Sequence, residues 1–251
     1  MKKIIDLSEK RILVTGASNG IGAQVCRLIS SLGAKVIMVA RQEIKMKEIM
    51  QHLTGTGHAY YAFDLTEIES IEDLLKKIVK ENGKLDGIVH CAGKSFTRPL
   101  KQVKFSLLHE TMLINFYAFF ELVRVYSSKK INNGLGSVVV MSSSAAVRGD
   151  KAMSGYAASK AAIEGAIKPL AKELSDKNIR INAVRAGMIR TAMFDSFSEK
   201  YDESAIKALL DKQYLGIIET EDVADAIAYL LSDAAKFITG TSLVIDGGFL
   251  S

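Results

Sequence analysis

The sequence contains few of the residues that disulfide-stabilised, metal-binding or membrane-spanning proteins depend on. Its 251 residues include only 2 cysteines and 2 prolines. Cys26 and Cys91 cannot build a disulfide framework or a cysteine-rich metal site, and they suit a reducing compartment. No apolar run reaches the roughly 18 residues that a membrane span requires, and the N-terminus lacks the apolar core of a secretion signal. We therefore expect a cytoplasmic protein that does not associate with membranes.

Metal and nucleic-acid sites are disfavoured as well. The 4 histidines show none of the short spacings with which paired histidines bind a metal, so no metal is predicted. The 33 basic and 28 acidic residues give a net charge of +5. Both signs alternate along residues 67–80, whereas nucleic-acid binders concentrate basic residues on one face. We expect a mixed, solvated surface and no nucleic-acid partner.

Short apolar runs alternate with helical patterns along the whole chain. The predicted strands are 11–15, 35–40, 60–63, 87–90, 137–141, 180–184 and 242–245, and the predicted helices are 21–32, 70–80, 106–130, 155–175 and 224–231. The strands are continuously apolar, which indicates burial on both faces. Strand–helix alternation with right-handed crossovers predicts an α/β fold over residues 1–251. The expected architecture is a single Rossmann-type domain, a doubly wound parallel β-sheet with helices on both faces.

A glycine-rich turn joins the first predicted strand to the first predicted helix. Residues 15–22 read T-G-A-S-N-G-I-G. Gly16, Gly20 and Gly22 allow a tight turn and a close approach of a pyrophosphate to the helix N-terminus. The second strand is followed by Arg41 and not by a carboxylate, and an arginine there accepts a 2′-phosphate. We predict a dinucleotide site that prefers NADP(H), with NAD(H) as the alternative if Arg41 is merely solvated.

A tyrosine and a lysine lie four residues apart at the start of the helix predicted over 155–175. Tyr156 and Lys160 share one face of that helix. A neighbouring ammonium lowers the pKa of a phenol, which can then exchange a proton with a carbonyl or alcohol oxygen. Three serines, Ser142, Ser143 and Ser144, end the preceding strand at the sheet edge where ligands bind. Each pattern alone is typical of an exposed helix face or a turn.

Together these motifs resemble the classical short-chain dehydrogenases/reductases over nearly the whole chain. The shared motifs are T-G-A-S-N-G-I-G at 15–22, D-L-T at 64–66, C-A-G at 91–93, I-N at 114–115, S-S-S at 142–144, Y-A-A-S-K at 156–160, I-R-I-N-A-V-R-A-G at 179–187 and I-T-G-T-S-L-V-I-D-G-G at 238–248. Within the family the chain is most similar to the 3-oxoacyl-(acyl carrier protein) reductase branch. The resemblance implies hydride transfer between a nicotinamide cofactor and a carbonyl or alcohol substrate. It also implies a homo-oligomer, a tetramer or a dimer, that packs through helices 106–130 and 155–175.

The resemblance also implies a role for individual residues. Tyr156 would be the general acid/base, Lys160 would lower its pKa and hold the nicotinamide ribose, and Ser143 would orient the substrate oxygen, with Ser142 and Ser144 as alternatives. Asn115 would complete a proton relay through water to Lys160. The expected cofactor-binding residues are Gly16, Ser18, Asn19, Gly20, Ile21, Gly22, Arg41, Asp64, Leu65, Cys91, Ala92, Gly93, Tyr156, Lys160, Ile189 and Thr191.

Three positions depart from the family pattern. The usual Asn-Asn-Ala-Gly is His90-Cys91-Ala92-Gly93, where we expect a buried, hydrogen-bonded histidine and a small buried thiol. The usual Pro-Gly is Ala186-Gly187, and the loss of proline should loosen this turn. Pro169 falls inside the helix of Tyr156 and should bend it near Gly165.

The substrate is not specified by these motifs. Residues 192–216 form a helical, mixed-charge segment that either closes over substrate as a lid or anchors to the core. An acyl thioester linked to a carrier protein, a sugar, a polyol, a steroid and another small ketone all stay open. A basic surface near the pocket, with Lys129, Lys130, Lys168 or Lys172, is expected to dock the acidic carrier if the substrate is carrier-linked. The alternative of another class is a non-catalytic NADP-binding sensor or scaffold.

Overall fold

The protein is built on one parallel β-sheet. The computed structural model describes residues 5–199 and 202–251, and this part of the chain forms seven strands in the order β3-β2-β1-β4-β5-β6-β7. The strands are β1 Arg11–Thr15, β2 Lys35–Ala40, β3 Ala59–Ala62, β4 Leu85–His90, β5 Asn132–Ser143, β6 Ile179–Ala186 and β7 Ser242–Ile245. Every neighbouring pair is parallel. The doubly wound Rossmann-type sheet that the sequence predicts is confirmed.

Helices cover both faces of the sheet. In the described residues they are α1 Gly20–Ser31, α2 Glu43–Met50, α3 Ile71–Asn82, α4 Phe105–Met112, α5 Ala118–Tyr126, α6 Ala145–Arg148, α7 Ser154–Ser175, α8 Ala192–Ser198, α9 Glu203–Leu210 and α10 Thr220–Leu231. One apolar core lies between the sheet and α3, α5 and α7, and a second core lies between the sheet and α1, α2 and α10. Strands buried from both sides explain the continuously apolar runs in the sequence.

The long helix predicted over 106–130 is wrong in two respects. It is interrupted by one turn of π-helix, Leu113–Tyr117, between α4 and α5, and it ends at Tyr126. A π-turn leaves the apolar periodicity of the flanking helices nearly intact, so the sequence pattern does not reveal it. The helix predicted to start at 224 begins at Thr220, because Glu219 and Asp222 form a reciprocal capping box there.

Two other expectations about helices have different outcomes. The helix α7 runs without interruption through Pro169, and the local bend expected near Gly165 stays a prediction. The segment 192–216 is helical as expected and contains α8 and α9. The part of the predicted lid at 200 and 201 lies outside the described residues.

Two findings concern features that the sequence disfavours. Within the described residues, no helix combines the length and the apolar character needed to cross a membrane. The same part of the chain holds no cluster of three or more histidine, cysteine or acidic side chains suited to a metal ion.

Candidate active site

The expected site residues meet at the carboxyl edge of the sheet. The order of the strands reverses between β1 and β4, and ligands of open α/β sheets bind at such a switch point. Thr15 ends β1 and His90 ends β4 beside it, while Ser143 ends β5 and Ala186 ends β6. The topology therefore brings four separate motifs of the sequence to one edge.

The glycine loop is packed too closely for side chains at two of its glycines. A Cβ atom at Gly16 would lie 2.7 Å from the backbone nitrogen of Ala92, and one at Gly22 would lie 2.3 Å from the carbonyl oxygen of Gly16. Gly16 and Gly20 also have positive φ angles of 65° and 50°. The loop thus places the start of α1 directly against the segment after β4. Gly20 is exposed at the helix N-terminus, where free N–H groups favour an anion.

The remaining residues of the predicted pyrophosphate site lie at the start of α1 and opposite it. Ser18 is half-buried and Asn19 is exposed at the start of α1, and Ile21 packs against the core beneath them. Across from the loop, a Cβ at Gly20 would be 3.8 Å from the Thr191 methyl group. The loop and the segment after β6 therefore face each other, as the predicted cofactor contacts of Thr191 require.

His90 completes a directed chain of hydrogen bonds under the site. The Ala92 N–H donates to Thr15 Oγ1 over 3.3 Å, and Thr15 Oγ1 lies 3.0 Å from His90 Nδ1. His90 Nε2 lies 3.2 Å from the carbonyl oxygen of Ile114, so Nε2 carries the proton and Nδ1 accepts from Thr15. Burial, with the charge of Lys160, lowers the pKa of His90 to about 3 and keeps the ring neutral. The buried, hydrogen-bonded histidine that the sequence predicts is confirmed.

Both thiols lie in surroundings that disfavour the thiolate form. Burial raises the pKa of Cys91 to about 12, and it also raises the pKa of Cys26 on α1. Cys91 is half-buried beside the glycine loop, and Cys26 is fully buried. Since the thiolate is the nucleophilic form, neither cysteine is activated. This agrees with the small packing residue expected at Cys91.

Ser142 and Ser143 end β5, Ser144 follows it, and of the three only Ser143 influences the tyrosine. The Ser143 side chain is half-buried and lowers the pKa of Tyr156, whereas Ser142 and Ser144 are only 4% and 6% exposed. The Ser144 backbone N–H pairs with Ala186, which fixes the turn into α6. The structure therefore favours Ser143 over its two neighbours as the serine that contacts a substrate oxygen.

Lys160 lies one helical turn from Tyr156 and is buried. Its Nζ is 5.9 Å from the centroid of the Tyr156 ring and donates a 2.8 Å hydrogen bond to the carbonyl oxygen of Met141. Burial lowers the pKa of Lys160 to about 8. Burial also raises the pKa of Tyr156, and the hydrogen bond with Ser143 opposes this rise. The expected depression of the tyrosine pKa is therefore not found in the protein alone, because desolvation of the phenolate outweighs the effects that favour it.

Asn115 occupies the π-turn and ties the loop after β4 to α7. Its Oδ1 accepts from the Lys94 N–H over 2.8 Å, and its Nδ2 donates to the Lys94 carbonyl oxygen and to Ser159 Oγ over 2.9 and 2.8 Å. A Cβ at Gly93 would lie 3.2 Å from Asn115 Oδ1 and 3.6 Å from Lys160 Nζ. Asn115 is thus close to Lys160, but its amide already has partners. Its role in a proton relay stays a prediction.

The residues expected at the adenosine end form a separate group. Arg41 follows β2, its side chain is 75% exposed, and its Nη1 is 3.7 Å from an Asp64 carboxylate oxygen. Burial raises the pKa of Asp64, but hydrogen bonds from Thr66 and the charge of Arg41 outweigh this and hold it below its usual range. The Leu65 side chain packs in the core, so only the backbone of Leu65 can face a base.

Sequence reasoning missed two residues of the site. Ser159 accepts from Asn115 and donates to the Tyr156 carbonyl oxygen, although it reads as a spacer of the Tyr–Lys motif. Gln213 is 1% exposed and bonds the backbone of Met188, beside the predicted nicotinamide contact Ile189. Gln213 stands in a mixed-charge stretch without apolar periodicity, so no sequence signal marks it as buried.

Comparisons with known proteins agree with this geometry. A family model described as enoyl-(acyl carrier protein) reductase matches residues 16–250. The L-xylulose reductase of Caenorhabditis elegans is 32% identical over 247 residues, covering 97% of each chain. The 3-oxoacyl-(acyl carrier protein) reductase of Rickettsia felis is 34% identical over 248 residues, covering 98% of this chain and 99% of the relative.

Solved structures show the same likeness. A putative short-chain alcohol dehydrogenase from Sinorhizobium meliloti superposes with a TM-score of 0.92 at 32% identity, covering 98% of each chain. A short-chain type dehydrogenase/reductase from Mycobacterium ulcerans gives a TM-score of 0.90 at 29% identity and covers 98% of this chain and 91% of that one. This chain belongs to the short-chain dehydrogenase/reductase family. It is an oxidoreductase that acts on CH–OH and carbonyl groups, and family membership implies a nicotinamide dinucleotide, NAD(P)(H).

Proposed function

We propose that the protein is an NADP(H)-dependent reductase that converts a carbonyl to an alcohol, or catalyses the reverse reaction, with Tyr156 as general acid/base. One observation carries this proposal. The Ser143 side chain, at the end of β5, is near enough to the Tyr156 hydroxyl to lower its pKa, and buried Lys160 lies one turn along the same helix. Two convergent hydroxyls of this kind suit a single substrate oxygen.

The residues at the edge fit a dinucleotide. Gly16 and Gly22 leave no room for a Cβ, Gly20 opens the N-terminus of α1, and Gly93 brings the backbone close to Lys160 Nζ. A backbone cradle at a helix N-terminus is the usual receptor for a pyrophosphate. The glycine loop would hold the pyrophosphate, Lys160 the nicotinamide ribose, and the segment of Ile189 and Thr191 the carboxamide.

When bound, the nicotinamide cofactor would supply the hydride that reduces the carbonyl carbon. Ser143 donates a hydrogen bond to the carbonyl oxygen and holds it beside Tyr156. The Tyr156 hydroxyl donates its proton to that oxygen as negative charge develops there. The phenolate then takes up a proton that comes from solvent. The Lys160 ammonium, held by Met141, stabilises the phenolate that forms. In the reverse direction Tyr156 removes the proton of the alcohol.

The test is the Tyr156→Phe variant in a panel of carbonyl substrates with each nicotinamide cofactor. Loss of a general acid lowers the rate by about 10² to 10⁴-fold, so cofactor oxidation should disappear while NADPH binding stays within about twofold. Tyr61 on the edge strand β3, whose hydroxyl donates to Glu81, offers a matched Tyr61→Phe control, which should keep full activity. If the wild-type protein binds NADPH but turns over no member of the panel, the sensor or scaffold alternative is favoured.

The choice of NADP(H) rests on Arg41. Its guanidinium is largely exposed at the end of β2, and its one ion pair within the described residues is the 3.7 Å contact with Asp64. A planar guanidinium can therefore turn to a 2′-phosphate without leaving a buried charge unpaired. NAD(H) is the alternative if Arg41 stays paired with Asp64 and does not bind a 2′-phosphate on the adenosine ribose.

Two substrate classes are supported by the relatives. The Rickettsia relative is named for a 3-oxoacyl substrate on acyl carrier protein, and the Caenorhabditis relative for L-xylulose. We propose the 3-oxoacyl thioester first and a sugar, polyol or small ketone second. Initial rates with a carrier-linked 3-oxoacyl group, its short thioester analogue and a panel of ketoses separate them. A rate on ketoses above that on both thioesters would reverse the order.

The basic surface expected to dock a carrier does not border the site of its own chain. Lys129 and Lys130 precede β5, and Lys172 lies near the end of α7, so all three lie toward the amino edge of the sheet. Along α7, Lys172 is twelve residues beyond Lys160, which corresponds to about 18 Å of helix. Lys168 is one turn closer and is exposed. The expectation failed because helical spacing alone does not show which edge of the sheet a lysine reaches.

Further parts of the proposal concern assembly and location. We propose a homo-oligomer, a tetramer or a dimer, because Phe105 on α4 is 79% exposed and Phe120 on α5 is 44% exposed. Light scattering after size exclusion tests this, and a monomer at micromolar concentration would contradict it. The cytoplasmic location and the lid role of 192–216 also stay predictions, to be tested by cell fractionation and by substrate-dependent protection of α8 and α9 from proteolysis.

A further inference from the structure

A single buried glutamine stands in an otherwise exposed turn after α9. Gln213 is 1% exposed, while its neighbours Lys212 and Tyr214 are exposed. Its Oε1 accepts from the Met188 N–H over 2.8 Å, and its Nε2 donates to the Met188 carbonyl oxygen over 3.1 Å and to the Gly216 carbonyl oxygen over 2.5 Å. Both amide hydrogens and the amide oxygen are therefore used, which a buried amide needs in order to be stable.

The seat of this side chain is shaped by two glycines. A Cβ at Gly187 would lie 2.4 Å from Gln213 Oε1, and one at Gly247 would lie 2.7 Å from Gln213 Cγ. Gly247 also has a φ of +57°. The Gln213 side chain thus fills the space between the turn after β6 and the turn after β7. A larger residue at either glycine would displace it.

The backbone that Gln213 holds is the segment predicted to contact the nicotinamide. Met188 directly precedes Ile189, which pairs with Ile218 in an isolated parallel bridge. The Ile218 N–H donates to the Met188 carbonyl oxygen, and the Arg190 N–H donates to Ile218. Gln213 therefore supplies a bond to the Met188 N–H that the Ile218 backbone does not supply.

The turn directly before Met188 is also where the chain departs from the family pattern. Ala186 stands where the family pattern has proline, and the loss of proline should loosen the turn. The structure shows this turn held instead by the Gly187 N–H donating to Ile245 and by Gln213 bonding Met188 on both sides. Since Gln213 also bonds Gly216, one amide joins the two ends of the segment that carries α8 and α9.

We propose that Gln213 is a positioning residue that holds Met188 to Thr191 in the conformation that receives the nicotinamide end of the cofactor, in place of the family's proline. This inference rests on the proposed function, because it requires a nicotinamide dinucleotide in the site. It predicts that Gln213 affects the binding of the nicotinamide half of the cofactor and not that of the adenosine half. The adenosine half contacts the glycine loop and Arg41, which Gln213 does not touch.

The experiment compares two ligands on the full chain by calorimetry. NADPH reports on both halves of the site, and 2′,5′-ADP reports on the adenosine half alone. Gln213→Met keeps the length of the side chain and removes its hydrogen bonds, and Gln213→Glu keeps the acceptor and removes both donors. Gln51→Met, at the exposed end of α2, is the matched control. Hydrogen exchange at the Met188 amide measures the local bond directly.

For both Gln213 variants we expect the dissociation constant of NADPH to rise about tenfold, since two to three buried hydrogen bonds are lost, while that of 2′,5′-ADP changes less than twofold. Exchange at the Met188 amide should accelerate in Gln213→Met, which loses the acceptor of that N–H, and Gln51→Met should change neither quantity. Equal weakening of both ligands would show a general structural role and overturn the inference, as would unchanged NADPH binding. A wild-type protein that binds 2′,5′-ADP and NADPH equally would also overturn it, while one that binds neither would overturn the proposed function itself.

Discussion

The neutral, buried His90 should make the protein sensitive to acid. The folded state holds the pKa of His90 at about 3, whereas an unfolded chain restores the ordinary value of 6.5. Between these values the unfolded state binds more protons than the folded state. The free energy of unfolding must therefore fall as the pH is lowered from about 6.5 toward 3, and this contribution is complete above that window. The groups that face the ring are the Lys160 ammonium, the Thr15 hydroxyl and the Ile114 carbonyl.

The expected size follows from the separation of the two pKa values. Each pH unit below 6.5 costs about 1.4 kcal/mol until the folded state is protonated as well, so His90 alone should remove about 2 kcal/mol of stability between pH 7 and pH 5. That is a large part of the 5 to 15 kcal/mol that folded domains typically possess. Acid protonation would also break the chain from Ala92 through Thr15 to Ile114, because a charged imidazole cannot accept from Thr15.

The assay is urea unfolding at pH 7 and pH 5, at one protein concentration, for the wild type and His90→Gln. Glutamine is polar and does not titrate, so the variant should lose about 2 kcal/mol less than the wild type on acidification, whatever its stability at pH 7. The exposed His52 gives a control, since His52→Gln should leave the wild-type pH dependence unchanged. An equal pH dependence of the wild type and His90→Gln would refute the assignment of a neutral, desolvated ring.

Three further outcomes are expected. In calorimetry, Arg41→Ala should raise the dissociation constant of NADPH by about 10- to 100-fold, which is the contribution of one charged hydrogen bond, and should leave the dissociation constant of NADH unchanged. A parallel change in both constants would show that Arg41 does not bind the 2′-phosphate. In the reductive direction kcat/KM should fall as the pH rises through about 8, because Lys160 loses its charge there. A value of kcat/KM that does not change up to pH 10 would contradict this. Glu164→Gln should cost about 1 to 3 kcal/mol in urea unfolding, since Glu164 forms two hydrogen bonds with the partly buried Arg185; a loss below 0.5 kcal/mol would show an exposed, solvated pair.

The sheet and the catalytic face could be predicted because they depend on local patterns. Continuous apolar runs mark strands that are buried from both sides, and the strands found at 11–15, 35–40 and 242–245 agree with those runs. A four-residue spacing on a helix fixes the shared face of Tyr156 and Lys160 before any tertiary contact is known. The carboxyl edge then follows from the parallel order of the strands, which places Ser143 near both.

The remaining features depend on contacts between distant segments. The π-turn at Leu113–Tyr117 follows from no residue pattern, yet it places Asn115 against Lys94 and Ser159. The burial of Gln213 depends on glycines 26 residues before it and 34 residues after it in the chain, which no local pattern records. The choice among three adjacent serines likewise required the position of α7, because all three lie at the carboxyl end of β5.

The protonation states of Tyr156 and Lys160 favour one direction of the proposed reaction. Burial raises the pKa of Tyr156 and lowers that of Lys160 to about 8, so near neutral pH the phenol keeps its proton and most of the amine stays charged. A protonated phenol beside Ser143 is the form that donates to a carbonyl oxygen, whereas oxidation of an alcohol needs the phenolate. The charge of Lys160 then stabilises the phenolate only after the proton has left. The same desolvation that disfavours the resting phenolate therefore favours reduction near neutral pH, and it makes the oxidative reaction depend on a rise in pH.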